Sequence, residues 1–399
     1  MSTAKPGGSA SQSAAKPQRG SVNKATSRNT CTAADQTDTA NAPAVPEALF
    51  ATTVTQWQKQ AGRHHLPWQG TRDPYRIWLS EIMLQQTQVA AVIGYYQRFL
   101  DRFPDVPSLA QATQEQVMPY WAGLGYYARA RNLHRCAQEL MEQWQGHFPP
   151  TAQQIAELPG IGRSTAAAIA AFAYDERSPI MDGNVRRVFC RYFGIDGPTG
   201  KASTEAQLWD TAERLVEVAP ASLDMAAYTQ GLMDLGATVC RRGVPDCAVC
   251  PLNAGCAARQ TGRQTALPVP RQKKAVPERH CAMLILVQDD HVLLELRPSP
   301  GIWGGLWSLP QFDDEHALAS ACTAQGLPAE QAQRMAGLLH VFTHFRLHID
   351  PWLLQAQTST VHALAQDKRW TPLNSLAEAA LPAPIKKILD GLAAARPIP

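Results

Sequence analysis

No run of about 18 or more apolar residues occurs in the chain, which argues against a membrane-spanning helix. The opening Met1-Ser-Thr-Ala-Lys5 lacks the apolar stretch of a secretory signal. Net charge is scarce too. At +3 it announces no nucleic-acid partner, so any cationic surface has to come from local clustering. Residues 1–46 have almost no bulky apolar side chain before Phe50. Such a segment cannot bury enough surface to offset its ordering entropy and is expected to be a disordered, solvated tail. Its Lys and Arg fall in residues 5–28 and its first acid is Asp35, a weak likeness to a transit peptide or a tethering arm. A disulfide framework is also missing. Of nine cysteines, Cys31, Cys136, Cys190, Cys281 and Cys322 are scattered, while the other four lie between Cys240 and Cys256. That distribution suits a reducing compartment and a metal site.

What is present suggests two domains and a tail, because 399 residues exceed one ordinary domain and 45% are hydrophobic. Helix-length apolar patterns run over Pro74–Thr87, Val89–Arg102, Ala128–Trp144, Thr151–Leu158, Thr165–Tyr174 and Ala206–Val218, punctuated by Pro and Gly. Strands do not alternate with helices there, and no internal repeat is found. Residues 47–260 are therefore expected to form a mainly α-helical domain, and residues 261–279, rich in Pro, Lys and Arg, a linker. Residues 280–395 then change texture. Cys281–Val287 and His291–Arg297 read as strands joined by a turn at Gln288-Asp289-Asp290. Asp314–Gln325 and Ala329–Leu338 read as helices, and Val341–Pro351 and Trp352–Ala356 as strands. The second domain is expected to be α+β.

Two strings are chemically specific. Cys240, Cys247, Cys250 and Cys256 have the spacing C-x6-C-x2-C-x5-C, so four thiolates can close on one centre without long-range folding. Both zinc and an iron–sulfur cluster take four thiolates. Zinc sites usually pair two C-x2-C knuckles and only one is present, which favours iron–sulfur. Arg241, Arg242 and Arg259 surround it, while no flavin or nicotinamide motif accompanies it. The second string is Leu158-Pro-Gly-Ile-Gly-Arg-Ser-Thr-Ala166. Pro159 and Gly160 end one helix, Gly162 allows close approach of a ligand, and Ser164 or Thr165 is expected to cap the next helix. Its free amides and positive end attract phosphate without reading sequence. The alternative is an ordinary helix–helix connection.

Two carboxylates stand out. Asp182, in Ile180-Met-Asp-Gly-Asn184-Val-Arg-Arg-Val188, can cap the helix from Gly183 and can also do chemistry. Glu81 has Ile77, Trp78, Leu84 and Gln85 on its helical face, a setting that raises a carboxyl pKa and favours a protonated acid. The plain alternative is a partly exposed helical Glu.

Taken together, the cysteine spacing, the hairpin and the downstream Asp resemble the helix–hairpin–helix DNA glycosylases that carry a 4Fe-4S cluster. Further strings resemble the adenine DNA glycosylase (MutY) family. They are Leu66-Pro67-Trp68, Trp78-Leu-Ser-Glu-Ile-Met-Leu-Gln-Gln-Thr-Gln-Val89, Trp121-Ala-Gly-Leu-Gly-Tyr-Tyr-Ala-Arg-Ala-Arg-Asn132, Met181-Asp-Gly-Asn-Val-Arg186 and Gly301-Ile-Trp-Gly-Gly-Leu-Trp307. The likeness covers about residues 48–395 and implies a helix–hairpin–helix glycosylase domain, an iron–sulfur loop and a Nudix-like domain.

The resemblance also implies roles. Glu81 would protonate N7 of a flipped adenine, Asp182 would stabilise the sugar cation, and Asn184 would orient water or Asp182. Gln85, Gln86 and Tyr126 would fill the gap and touch 8-oxoguanine, and Gly160, Gly162 and Ser164 would hold the DNA backbone. Phe342, Thr343 and His344 would contact the oxidised base, with Thr343 where Ser is usual. Cys240, Cys247, Cys250 and Cys256 would hold the 4Fe-4S cluster. Ser164 stands where strand-cleaving relatives have Lys, so base removal without efficient strand cleavage is expected. The stretch after Gly305 lacks the acidic cluster of a Nudix hydrolase, so that domain is expected to recognise rather than hydrolyse. The expected partner is double-stranded DNA with adenine opposite 8-oxoguanine or guanine. A monomer without membrane contact is expected, cytoplasmic with the nucleoid in a bacterium and mitochondrial or nuclear in a eukaryote. The rivals are an endonuclease III-like pyrimidine glycosylase/lyase, which would want Lys at 164 and no residues 280–395, and a non-catalytic DNA sensor, which would not need both Glu81 and Asp182.

Overall fold

An Ala-rich helix explains how the first part of the chain folds. The computed structural model describes residues 47–271, 275–356 and 366–395; the expected tail, residues 1–46, lies outside them. Helices α1 (Glu47–Ala61), α2 (Pro74–Leu84), α3 (Val89–Arg102), α4 (Val106–Gln111), α5 (Gln114–Trp121) and α6 (Ala128–Trp144) lead to α7 (Ala152–Glu157) and α8 (Arg163–Tyr174). Ala166, Ala167, Ala168, Ala170, Ala171 and Ala173 are all buried. With so little side chain, neighbouring helices can approach closely, and α2 packs against α8 along with α7 and α11 (Met225–Asp234). Between them come α9 (Gly183–Tyr192) and α10 (Ala202–Glu217).

Helix α11 runs into a π-helical turn, Leu235–Val239, and then into the cysteine loop, which ends at the short α12 (Ala257–Gln260). Sequence patterning placed α3 and α6 at their observed ends. For α8 the expected cap fails. Gly162 is the N-cap and Ser164 is already helical, its hydroxyl accepting instead from the Met181 amide at 2.9 Å.

Among the described residues the second part is an eight-stranded mixed sheet of β1 (Glu278–Gln288), β2 (His291–Leu296), β3 (Trp307–Ser308), β4 (Gln311–Phe312), β5 (Gln333–Arg334), β6 (Leu338–Val341), β7 (Arg346–Gln355) and β8 (Lys368–Pro372). β1 and β7 pair in parallel from Glu278↔Arg346 to Val287↔Gln355. That central position explains the unbroken apolar run of β1, since a strand buried on both faces needs no polar side. Ala282, Leu284 and Leu286 pack in one cluster with Leu318 and Cys322 of α13 (Glu315–Ala324). Cys281, Met283, Ile285 and Val287 face the other, with Ile385 and Leu389 of α14 (Ala383–Ala395).

Two expectations are corrected here. Ala329–Leu338 is not a helix but a 3-10 turn, Ala329–Gln331, followed by β5 and β6. The open edge of β7 offers hydrogen bonds that override local helix propensity. Nor are Val341–Pro351 and Trp352–Ala356 two strands. β7 is continuous through Pro351, and the missing proline N–H falls where β5 and β6 are interrupted.

Candidate functional site

A cleft of about 1570 Å³ opens between α2, the start of α9 and the end of α11. Its walls include Glu81, Gln85, Gln86, Tyr126, Ser164, Asp182 and Asn184. Seven of the residues singled out in the sequence thus meet in one place, from segments more than 100 positions apart. The turn after α2 and the loop before α6 bring Gln86 and Tyr126 to the rim, each in the left-handed region at φ 57° and 50°. Tyr126 is 44% exposed. Gln85 donates to the Thr165 hydroxyl at 3.3 Å. Gly160 and Gly162 belong to the hairpin between α7 and α8. A Cβ at Gly160, which has φ 77°, would strike Asn132, whereas one at Gly162 would meet open space. Phe342, Thr343 and His344 form a tight turn between β6 and β7, with Thr343 and His344 exposed. Neither the hairpin glycines nor this turn lines the cleft.

The two carboxyl groups are held in contrasting ways. Glu81, on the inner face of α2, has its carboxyl pushed up to about 7, first by burial and then by the charge of Asp182. Asp182 is the N-cap of α9. Its Oδ1 accepts from the Asn184 and Val185 amides at 2.8 and 2.7 Å, and its Oδ2 accepts from Asn184 Nδ2 at 2.9 Å. Three donors thus orient it. Asn184 is anchored in turn, its Oδ1 accepting from Arg187 at 2.8 Å. Such an arrangement presents one protonated acid and one fixed carboxylate to the same space, the pattern of an acid–nucleophile pair acting on a glycosidic bond.

Arg187 was not among the expected site residues, and the structure gives it a clear place. Besides Asn184 it reaches the carbonyls of Gly183, Gly236 and Cys240. Arg191, one turn on, donates to Cys240 Sγ at 3.3 Å and to the carbonyls of Leu267, Arg241 and Gly243. One face of α9 therefore links the Asp182 cap to the cysteine loop. The only signal in the sequence was the three- and four-residue spacing of Asn184, Arg187 and Arg191, and their partners outside α9 lie roughly 50 or more positions away.

Cys240, Cys247, Cys250 and Cys256 are free thiols at intermediate burial, unlike the buried Cys136, Cys190, Cys281 and Cys322. Burial raises Cys250 to about 12, against the opposing backbone N–H of Leu252, and the nearby Cys240, Cys256 and Cys247 add to the rise. Among the described residues no three His, Cys, Asp or Glu side chains are drawn together closely enough to hold a metal ion. The donor set still fits an iron–sulfur cluster in its chemistry: four soft ligands with no disulfide among them, and a guanidinium directed at one sulfur.

Residues 79–214 match the family model described as HhH-GPD superfamily base excision DNA repair protein, and residues 281–391 match the NUDIX domain model. An adenine DNA glycosylase of Buchnera aphidicola (subspecies Acyrthosiphon pisum) is 33% identical, the match covering 86% of this chain and 97% of that one. The Homo sapiens adenine DNA glycosylase is 31% identical over 85% of this chain and 73% of its own. The chain belongs to the adenine DNA glycosylase family. Membership makes it a DNA N-glycosylase of base excision repair, and the endonuclease III-like alternative loses to a match that runs through the Nudix-like domain. Among solved structures, a thermostable thymine-DNA glycosylase superposes with a TM-score of 0.48 at 27% identity, covering 54% of this chain and 97% of that one. No helix among the described residues is long and apolar enough to cross a membrane.

Proposed function

We propose that the chain hydrolyses the N-glycosidic bond of adenine mispaired with 8-oxoguanine, or with guanine, in double-stranded DNA and leaves an abasic site with the strand intact. The observation that carries this reading is the carboxyl pair, Glu81 held protonated to near pH 7 beside the fixed Asp182. Adenine has to leave the stack to reach them. Glu81 then gives its proton to N7, the C1′–N9 bond breaks, and the bonding electrons leave with the base. The sugar cation faces Asp182, with or without a transient covalent adduct. Water adds to C1′, and Glu81, now a base, takes a proton back from it. Asn184, with its amide on Asp182, keeps that carboxylate aimed. Ser164 has no amine, and a hydroxyl cannot form an imine with the sugar, which supports base removal without strand cleavage.

Cys240, Cys247, Cys250 and Cys256 are proposed to hold a 4Fe-4S cluster. When bound it cross-links the loop that Arg187 and Arg191 connect to the active site. The hairpin around Gly160 and Gly162 offers amides to the backbone. The Phe342–His344 turn is proposed to read the C8 oxygen and N7 hydrogen of oxidised guanine, in a domain whose α13 carries a single Glu and no Arg.

The direct test is incubation with duplexes carrying adenine opposite 8-oxoguanine, scoring breaks with and without hot alkali. Breaks that appear only after alkali support the reading, and breaks without alkali would overturn the single-function part of it. Ser164→Lys is expected to add adducts that borohydride traps.

A further inference from the structure

The rim of the cleft is made of two short segments, residues 85–88 after α2 and residues 123–127 before α6. Each holds one non-glycine residue in the left-handed region, Gln86 and Tyr126. That conformation is sparsely populated for a residue with a Cβ and persists only where the surroundings impose it.

A single side chain joins both segments. Arg129, in the first turn of α6, donates from Nη1 to the Ile82 and Met83 carbonyls at 2.7 and 2.9 Å. Its Nη2 donates to the Thr87 hydroxyl at 3.1 Å and to the Leu124 and Gly125 carbonyls at 3.3 Å each. The guanidinium also lies 5.3 Å from the centre of the Trp121 ring and 5.5 Å from that of Tyr126. Nε is buried with no acceptor among the described residues, so the ties run through the two terminal nitrogens.

Ile82 and Met83 lie in the last turn of α2, the helix that carries Glu81. Carbonyls at a helix C-terminus have no partner within the helix, and a cation is favoured beside them. Arg129 is thus a C-cap supplied by another helix. Burial draws it down to about 10, so it remains charged at neutral pH while it is partly stripped of water. Hydrogen bonds from a charged donor are the stronger kind.

We propose that Arg129 is a positioning residue that holds Gln86 and Tyr126 in their left-handed conformations and sets Tyr126 at a fixed place relative to Glu81. The ring that fills the gap in the duplex and the acid that protonates the extruded base are thereby brought into register. The inference rests on the adenine-excision reading above. Lysine cannot substitute, because three donors on one nitrogen do not span five acceptors that a flat fork reaches from both sides.

The test uses full-length protein and a duplex with 2-aminopurine in place of the target adenine, opposite 8-oxoguanine. Its fluorescence rises as the base unstacks. Arg129→Lys is expected to lower the melting temperature and, per folded molecule, to slow the fluorescence rise by roughly tenfold or more, with adenine release from the normal substrate falling by the same factor. The pH dependence of the residual release stays that of the wild type, because the surroundings of Glu81 are unchanged. Thr87→Val removes one acceptor and leaves Arg129 in place. It should slow the same step by about two- to fivefold, and it keeps the test decisive if Arg129→Lys does not fold. Wild-type unstacking rates in both variants would overturn the inference. So would losses of release that follow only the loss of folded protein. Wild-type protein that released no adenine would overturn the excision reading instead.

Discussion

Glu81 couples the stability of the fold to pH. Its ordinary pKa of 4.5 rises to about 7 in the fold, by burial first and Asp182 second. Below about pH 4.5 the folded and unfolded chains both keep the proton and the carboxyl costs nothing. Between 4.5 and 7 the unfolded chain ionises while the folded one does not, and above about 7 the full cost lies on the folded state. Glu81→Gln is therefore expected to stabilise the protein by roughly 1–3 kcal/mol near pH 8 and by nothing near pH 4, and to abolish adenine release. Denaturant titrations at the two pH values check the first part. In the wild type, release should fall above about pH 7 along a single ionisation, and a flat profile through pH 8 would take the proton-donor role from Glu81. Asp182→Asn separates charge from capping. Asparagine caps helices as well as aspartate, so stability should change by less than about 1 kcal/mol, whereas release should fall by roughly a hundredfold or more. Single-turnover assays and thermal melts on one preparation decide it.

At the scale of an element, α9 and the π-helical turn Leu235–Val239 work as a pair. Arg187 fills the space between them, and Gly236 lets them touch. A Cβ at Gly236 would lie 2.5 Å from Asn184 Cβ and 2.8 Å from its carbonyl oxygen. Something has to shift, and what shifts is the residue that orients Asp182. Gly236→Ala is expected to cost about 1–3 kcal/mol in stability and to slow release by roughly tenfold or more even in the folded fraction. A variant that melts lower but turns over normally per folded molecule would show that the contact only packs. Further side-chain contacts surround the wide turn. Thr238 Oγ1 donates to the Asp234 carbonyl, and the Asp234 carboxylate, fully buried, takes hydrogen bonds from Arg63 and Gln230.

Across the whole molecule, the helical and α+β parts share one apolar core. Trp121 and Leu133 lie in the same cluster as Trp303, Leu306 and Trp307. Polar ties cross the same boundary. Arg131 donates to the Gly304 carbonyl at 2.6 Å, Trp307 Nε1 to Glu115 at 3.3 Å, and Arg369 pairs with Glu115 at 3.0 Å while stacking over Trp307. Cutting the chain near Pro268 would open that core to water, so truncation confuses stability with recognition. His344→Ala is the cleaner probe, because the side chain is exposed at its turn. It should leave adenine release opposite guanine nearly unchanged and slow release opposite 8-oxoguanine by about tenfold to a hundredfold, the worth of one specific contact. Equal slowing of both would remove the turn from recognition.

Local pattern determined a good deal by itself. The ends of α3 and α6, the cysteine spacing, the hairpin string and the two candidate carboxylates could be read because each depends on neighbours within a turn or two. The strand edge at β5 and β6 could not be read, because the hydrogen bonds that decide it come from β7. Nor could the cap of α8, since Ser164 finds a better donor in Met181, nor Arg129, Arg187 and Gly236, whose partners lie about 40 to 50 residues away in sequence. Local pattern marked Glu81 and Asp182 as candidates, and the family resemblance supplied the roles proposed for them. Only the packing of α2, α8 and α9 set them across one cleft, because burial and the charge of Asp182, not sequence position, lift Glu81 to near neutral.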